Sequence, residues 1–85
     1  MTTLERVIPI VARQLKRNPA EIDAATNLEE AGYESLDVIE TIFAVEEEFD
    51  INVNFNANTS DANTLTTVGD LAALVDKTMR EQGKA

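Results

Sequence analysis

The chain of 85 residues contains neither cysteine nor histidine. Disulfides, thiolate nucleophiles, histidine general bases and zinc sites built from these residue types are removed together, and most enzyme classes go with them. Long apolar runs are also missing: the longest stretches are a few residues, against the roughly 20 needed to cross a bilayer. Met1 leads into polar Thr2 and Thr3 rather than a basic and then apolar leader, so a soluble, cytoplasmic protein is expected. At this length burial supports one compact core, and residues 1–85 are read as a single domain.

Cations are scarce and unevenly placed. Seven Lys and Arg stand against sixteen Asp and Glu, a net charge of −9. The first twenty residues hold Arg6, Arg13, Lys16 and Arg17 against Glu5 alone, whereas from Asn18 to Asp76 there are fourteen carboxylates and no Lys or Arg. A field of one sign repels nucleic acid and anionic membranes, and the partners it favours are basic protein surfaces. A solubilising role for the same charge is the alternative.

Leu4, Val7, Ile8, Val11, Ala12 and Leu15 follow the i, i+3, i+4, i+7 spacing of an amphipathic helix with Thr2 or Thr3 as N-cap. Pro9 lies inside it and is expected to kink the helix or delay its regular start. Asn18-Pro19 ends this helix. A long connection through Ile22, Ala24, Ala25 and Leu28, expected to pack on the body, closes at Gly32-Tyr33. A second helix is expected from about Ser35 to Phe49. Val38, Ile42, Val45 and Phe49 form its core stripe, while Leu36, Ile39 and Phe43 share a partly exposed face with Asp37, Glu40, Glu47 and Glu48. Core packing is the competing reading for Ile39 and Phe43. A last helix starts at Thr67, with Asp70 three residues on as in a capping box, places Val68, Leu71, Ala72, Val75 and Met79 at core spacing, and ends near Lys77 and Arg80.

Between these helices, Ile51, Val53 and Phe55 alternate with Asn52, Asn54 and Asn56. The period suits a strand, but no second strand-like run exists to pair with it, so Asp50 to Thr66 is read as a loop with one short helical turn. Asp50, Asn52, Asn54, Asn56, Asn58 and Asp61 also occupy the ligand positions of an EF-hand-like loop. Phe55 stands where that loop requires Gly, and Asp61 where it requires a bidentate Glu, so no specific metal site is assigned. Asn58-Thr59-Ser60 is a formal glycosylation acceptor, read as chance.

The informative stretch is Glu30-Ala31-Gly32-Tyr33-Glu34-Ser35-Leu36-Asp37, followed by Glu46-Glu47-Glu48-Phe49. Ser at a helix start is most often an N-cap. A phosphodiester on Ser35 would also lie against the unpaired N–H groups and positive dipole end of the helix, worth about 0.3–1 kcal/mol. The stretch resembles the acyl carrier protein family, which has Gly-x-Asp-Ser-Leu at the entrance of its second helix and commonly Glu-Glu-Glu-Phe near that helix's end. Gly32, Ser35, Leu36 and Asp37 match in type and spacing; the loop from Thr26 to Glu30 and the helix from Thr67 extend the likeness, which is weakest from Val53 to Thr64.

The resemblance implies an all-α, four-helix bundle of three long helices and one short or irregular, in which Ser35 bears 4'-phosphopantetheine donated by coenzyme A. The arm's thiol would hold acyl intermediates as thioesters for enzymes of fatty-acid or related lipid or polyketide synthesis. The chain would be a non-catalytic monomer, modified by a phosphopantetheinyl transferase and visited by acyl-loading and condensing enzymes with basic docking surfaces. Glu34, Leu36, Asp37, Ile39, Glu40, Phe43, Glu47 and Glu48 would meet those partners, and Val38, Ile42, Val45 and Leu71 would line an acyl pocket.

Glu34 stands where the family has Asp, Ala31 replaces a larger apolar residue and Thr41 replaces the usual apolar residue of the second helix. The Asn-rich segment and Val68-Gly69-Asp70-Leu71 resemble bacterial nodulation-type carriers, which implies a specialised pathway. A peptidyl or aminoacyl carrier, and an unmodified acidic adaptor with the carrier fold, are the remaining alternatives.

Overall fold

The computed structural model describes residues 2–53 and 65–83. They form three α-helices and one 3-10 turn: α1 (Thr3–Leu15), the turn Pro19–Glu21, α2 (Ser35–Phe49) and α3 (Val68–Glu81). α1 packs against both α2 and α3. Among the described residues the only β-type pairing is an isolated bridge between Asn27 and Thr67, so the architecture is the expected all-α bundle. Ile51 is buried and Val53 half-buried without forming a strand. Phe55, the expected short helical turn and most of the EF-hand-like positions lie outside the described residues.

Each long helix buries one stripe. Val7, Val11 and Ala12 of α1 meet Ile42, Val45 and Phe49 of α2 and Val68, Leu71, Ala72 and Val75 of α3, with Ile22, Leu28, Tyr33 and Ile51 closing the core. The ends are capped by side chains. Thr2 Oγ1 accepts from the N–H of Glu5, whose carboxylate accepts from the N–H of Thr2. Thr67 and Asp70 make the same reciprocal exchange at α3, and Asp70 also accepts from the N–H of Thr66. This capping, with the burial of Val7 behind it, starts α1 at Thr3, and the helix runs through Pro9 to Leu15. Of the two effects expected from Pro9, a delayed regular start does not occur.

The connection from α1 to α2 is pinned at several points. Asn18 caps the 3-10 turn by accepting from the N–H of Ala20. Ile22 and Leu28 are buried as expected, but Ala24 and Ala25 are exposed, because here the backbone rather than the methyl groups makes the contact. Gly69 N–H donates to the Ala24 carbonyl, Val68 N–H to Thr26 and Leu28 N–H to Thr66. A Cβ at Gly69 would stand 3.1 Å from the Ala24 oxygen, so the missing side chain permits this approach. The loop is thus stitched to the entrance of α3 before it turns toward α2.

Candidate functional site

The turn that delivers the chain to α2 is built from Leu28 to Tyr33. Asn27 Oδ1 accepts from the N–H of Glu30, Gly32 N–H donates to Glu29 and Tyr33 N–H to Leu28. Gly32 has φ +106°, a backbone conformation that a side chain would strain, and open space surrounds it. Tyr33 is buried, and its hydroxyl lies 2.6 Å from that of Thr41 on the second turn of α2. Burial pushes the Tyr33 hydroxyl up to about 12, with the Thr41 bond opposing that rise. Thr41, which replaces the usual apolar residue, is therefore a core residue whose hydroxyl is matched, and the pair fastens the turn to the helix.

α2 begins at Ser35, with Glu34 as N-cap. The cap is closed from inside the helix: Asp37 Oδ2 accepts from the Glu34 N–H at 2.8 Å. The other oxygen of Asp37 accepts from Gln14 Nε2 at 2.8 Å. These two bonds, the Glu34 N–H first, hold the Asp37 carboxyl below the usual carboxylate range. Ser35 is relieved of capping, and the N-cap role that rivals a chemical one falls to Glu34. Ser35 is exposed, and its hydroxyl makes no hydrogen bond among the described residues. Its own N–H and those of the first turn point out of the helix end, where no intrahelical acceptor exists.

Beside Ser35 runs a groove of about 390 Å³ lined by Leu28, Glu29, Tyr33, Glu34, Ser35, Val38 and Leu65. Of the four residues assigned to an acyl pocket, only Val38 lines it. Ile42, Val45 and Leu71 are packed in the core at 5%, 0% and 1% exposure. Leu28, Tyr33 and Leu65 are its apolar wall; sequence reasoning packed Leu28 on the body but placed none of the three beside Ser35, since a loop residue's neighbours depend on contacts distant in the chain.

The outer face of α2 carries Leu36, Ile39 and Phe43 at 64%, 36% and 62% exposure, so Phe43 and Ile39 are surface residues rather than core. Their acidic neighbours are not equivalent. Glu34, Glu40 and Glu47 are exposed, but Glu40 already accepts from Gln14 at 3.0 Å. Glu48 pairs with Arg6 at 3.1 Å, and Arg6 also donates to the Glu48 carbonyl and lies 4.2 Å from the centre of the Phe49 ring. Asp37 and Glu48, expected to face partners, are thus engaged within the fold. Arg6 and Gln14 were missed because a polar side chain on an amphipathic helix carries no sign of its partner.

The scaffold is three helices that present an exposed, unengaged serine at a helix entrance, with a groove of mixed polar and apolar lining beside it. Residues 5–75 match the family described as the phosphopantetheine attachment site. The chain is 34% identical over 77 residues to an acyl carrier protein of Streptococcus thermophilus (strain CNRZ 1066), covering 91% of this chain and 96% of that one. It is 37% identical over 76 residues to the chloroplastic acyl carrier protein 3 of Hordeum vulgare, covering 88% of this chain and 54% of that protein. The chain belongs to the acyl carrier protein family. Members are non-catalytic carriers, and the group they carry is 4'-phosphopantetheine. No helix among the described residues is long and apolar enough to cross a membrane, and no cluster of three or more carboxylates there could hold a metal ion.

Proposed function

We propose that the chain is a single acyl carrier domain in which Ser35 is the attachment residue for 4'-phosphopantetheine. The carrying observation is the free, exposed Ser35 hydroxyl at the first position of α2, the N-cap role being filled by Glu34, whose N–H donates to Asp37. The surroundings fit the group: a phosphodiester on Ser35 Oγ meets the outward N–H groups of the first turn, and the neighbouring groove offers an apolar wall for part of an arm or its cargo. When bound, the group supplies a terminal thiol for thioester formation.

The chain's own part is presentation. Asp37 is committed to two hydrogen bonds and is a weak base at neutral pH, and no imidazole exists in the sequence to take the Ser35 proton. The base therefore comes from a separate transferase. Ser35 Oγ forms the new P–O bond to coenzyme A, the adenosine bisphosphate leaves with the old one, and the hydroxyl proton passes to the transferase. Leu36, Ile39 and Phe43, rimmed by Glu34, Glu40 and Glu47, form the docking face for basic partners, including acyl-loading and condensing enzymes. Contacts of this kind raise association rates and release easily.

The monomeric carrier serves synthesis of fatty acids or related lipids or polyketides, and Glu34, Ala31 and Thr41 favour a dedicated pathway over bulk synthesis. Loading tests it: after treatment with a transferase and an acyl-coenzyme A, the protein should carry an acyl group released by neutral hydroxylamine. An Ser35→Ala variant that still acquired such a group would contradict the assignment.

A further inference from the structure

The two ends of the α1–α2 interface are tied by different chemistry. At the C-terminal end of α2 the link is the ion pair of Arg6 with Glu48. At its N-terminal end the link is neutral: Gln14 Nε2 donates to Asp37 Oδ1 at 2.8 Å and to Glu40 Oε1 at 3.0 Å. Asp37 and Glu40 are three residues apart on one helix face, where two carboxylates repel each other. A carboxamide nitrogen has two N–H donors, one for each carboxylate, and only the orientation that points the nitrogen toward them satisfies both. Through Asp37 the tie continues to the N–H of Glu34, the residue before Ser35.

We propose that Gln14 is a positioning residue for modification of Ser35: from α1 its amide clamps Asp37 and Glu40 and thereby fixes the entrance of α2 on which Ser35 sits. The inference rests on the reading of Ser35 as the attachment site. The depressed titration of Asp37, caused in part by Gln14, agrees with a carboxylate held in place. The clamp acts on geometry, so its loss lowers the rate at which a bound transferase modifies Ser35 more than it weakens binding.

The opposite signs of two variants separate positioning from charge. Gln14→Met keeps length and helix propensity but donates nothing; Gln14→Glu brings a third carboxylate against the other two; Gln14→Lys can donate to both. Steady-state kinetics of transferase modification, with hydrogen exchange of the Glu34 amide, are measured for all three and the wild type. For Gln14→Met, kcat should fall about tenfold with KM nearly unchanged and the Glu34 amide exchanging faster. Gln14→Glu should fall further, and Gln14→Lys should recover most of the rate. A role in charge-guided docking gives the reverse order, since added negative charge on this face favours a basic partner and added positive charge opposes it. Equal kcat and equal Glu34 exchange in wild type and Gln14→Met, or a Gln14→Glu variant faster than Gln14→Lys, would overturn the clamp. Failure of every transferase to modify the wild type would overturn the reading of Ser35, and the clamp with it, a result distinct from equal rates.

Discussion

The hydroxyls of Tyr33 and Thr41 are each other's partners in a part of the core with few polar alternatives. Removing one strands the other. Thr41→Val, similar in shape, should cost about 1–3 kcal/mol because it leaves a buried phenol unmatched, whereas the double variant with Tyr33→Phe should recover much of that loss. Urea denaturation of the two single variants and the double variant gives the coupling directly, and additive losses would show that the hydroxyls do not depend on each other. Gly32 makes a different demand, since its φ of +106° is costly for any side chain although nothing crowds its position. Gly32→Ala should destabilise by about 1 kcal/mol through the backbone alone, as a lowered melting temperature will show.

At the scale of the helices, stability depends on ends as well as on stripes. Asp37 and Asp70 occupy the third positions of α2 and α3, and backbone N–H donors hold both carboxyls below their usual range. A carboxyl that ionises more readily in the fold stabilises it fully above the ordinary value of about 3.9 and loses that contribution as pH falls through the lower folded value. The urea midpoint should therefore drop on acidification below about pH 4, and drop less steeply when both residues are replaced by Asn. At the other end of α2, Arg6 holds Glu48, its carbonyl and the Phe49 ring together. Arg6→Met should lower stability by about 1 kcal/mol, and the difference from wild type should shrink in high salt.

These elements also show what one sequence can reveal. The three helices, the core stripe of α2 and its exposed Leu36, Ile39 and Phe43 were legible because helical periodicity is local. The role of Ser35 was suggested by a motif of which Asp37 is part, whereas the capping partnership of Asp37 with Glu34 was not foreseen. Gln14, Arg6 and the stitching of Ala24 and Thr26 to α3 were not legible, because each depends on which residues the fold brings together across many positions. Which residues border the groove beside Ser35 was not legible in the same way: Val38 shares the α2 stripe with Ile42 and Val45, but only three-dimensional packing decides which of them borders open space.

For the molecule as a whole, the controlling quantity is a charge of −9 on 85 residues. Arg6 with Glu48 is the one salt bridge among the described residues, so direct ion pairs offset little of the excess of acidic over basic groups. Added salt or calcium should raise the melting temperature by screening rather than by filling a defined site. Calorimetry should accordingly show diffuse rather than stoichiometric calcium binding, and a melting temperature unmoved by either addition would contradict this view of the surface. On the proposed reading, the same charge would make the carrier a guest of basic enzymes, met through α2.

Attachment at Ser35 turns on a single oxygen atom, and intact mass reads it most directly. Wild type and Ser35→Ala are incubated with coenzyme A and transferases of differing specificity. Gain of one phosphopantetheine by the wild type alone is the predicted result. Gain by both would move the attachment to another residue, and gain by neither would leave an unmodified adaptor with the carrier fold.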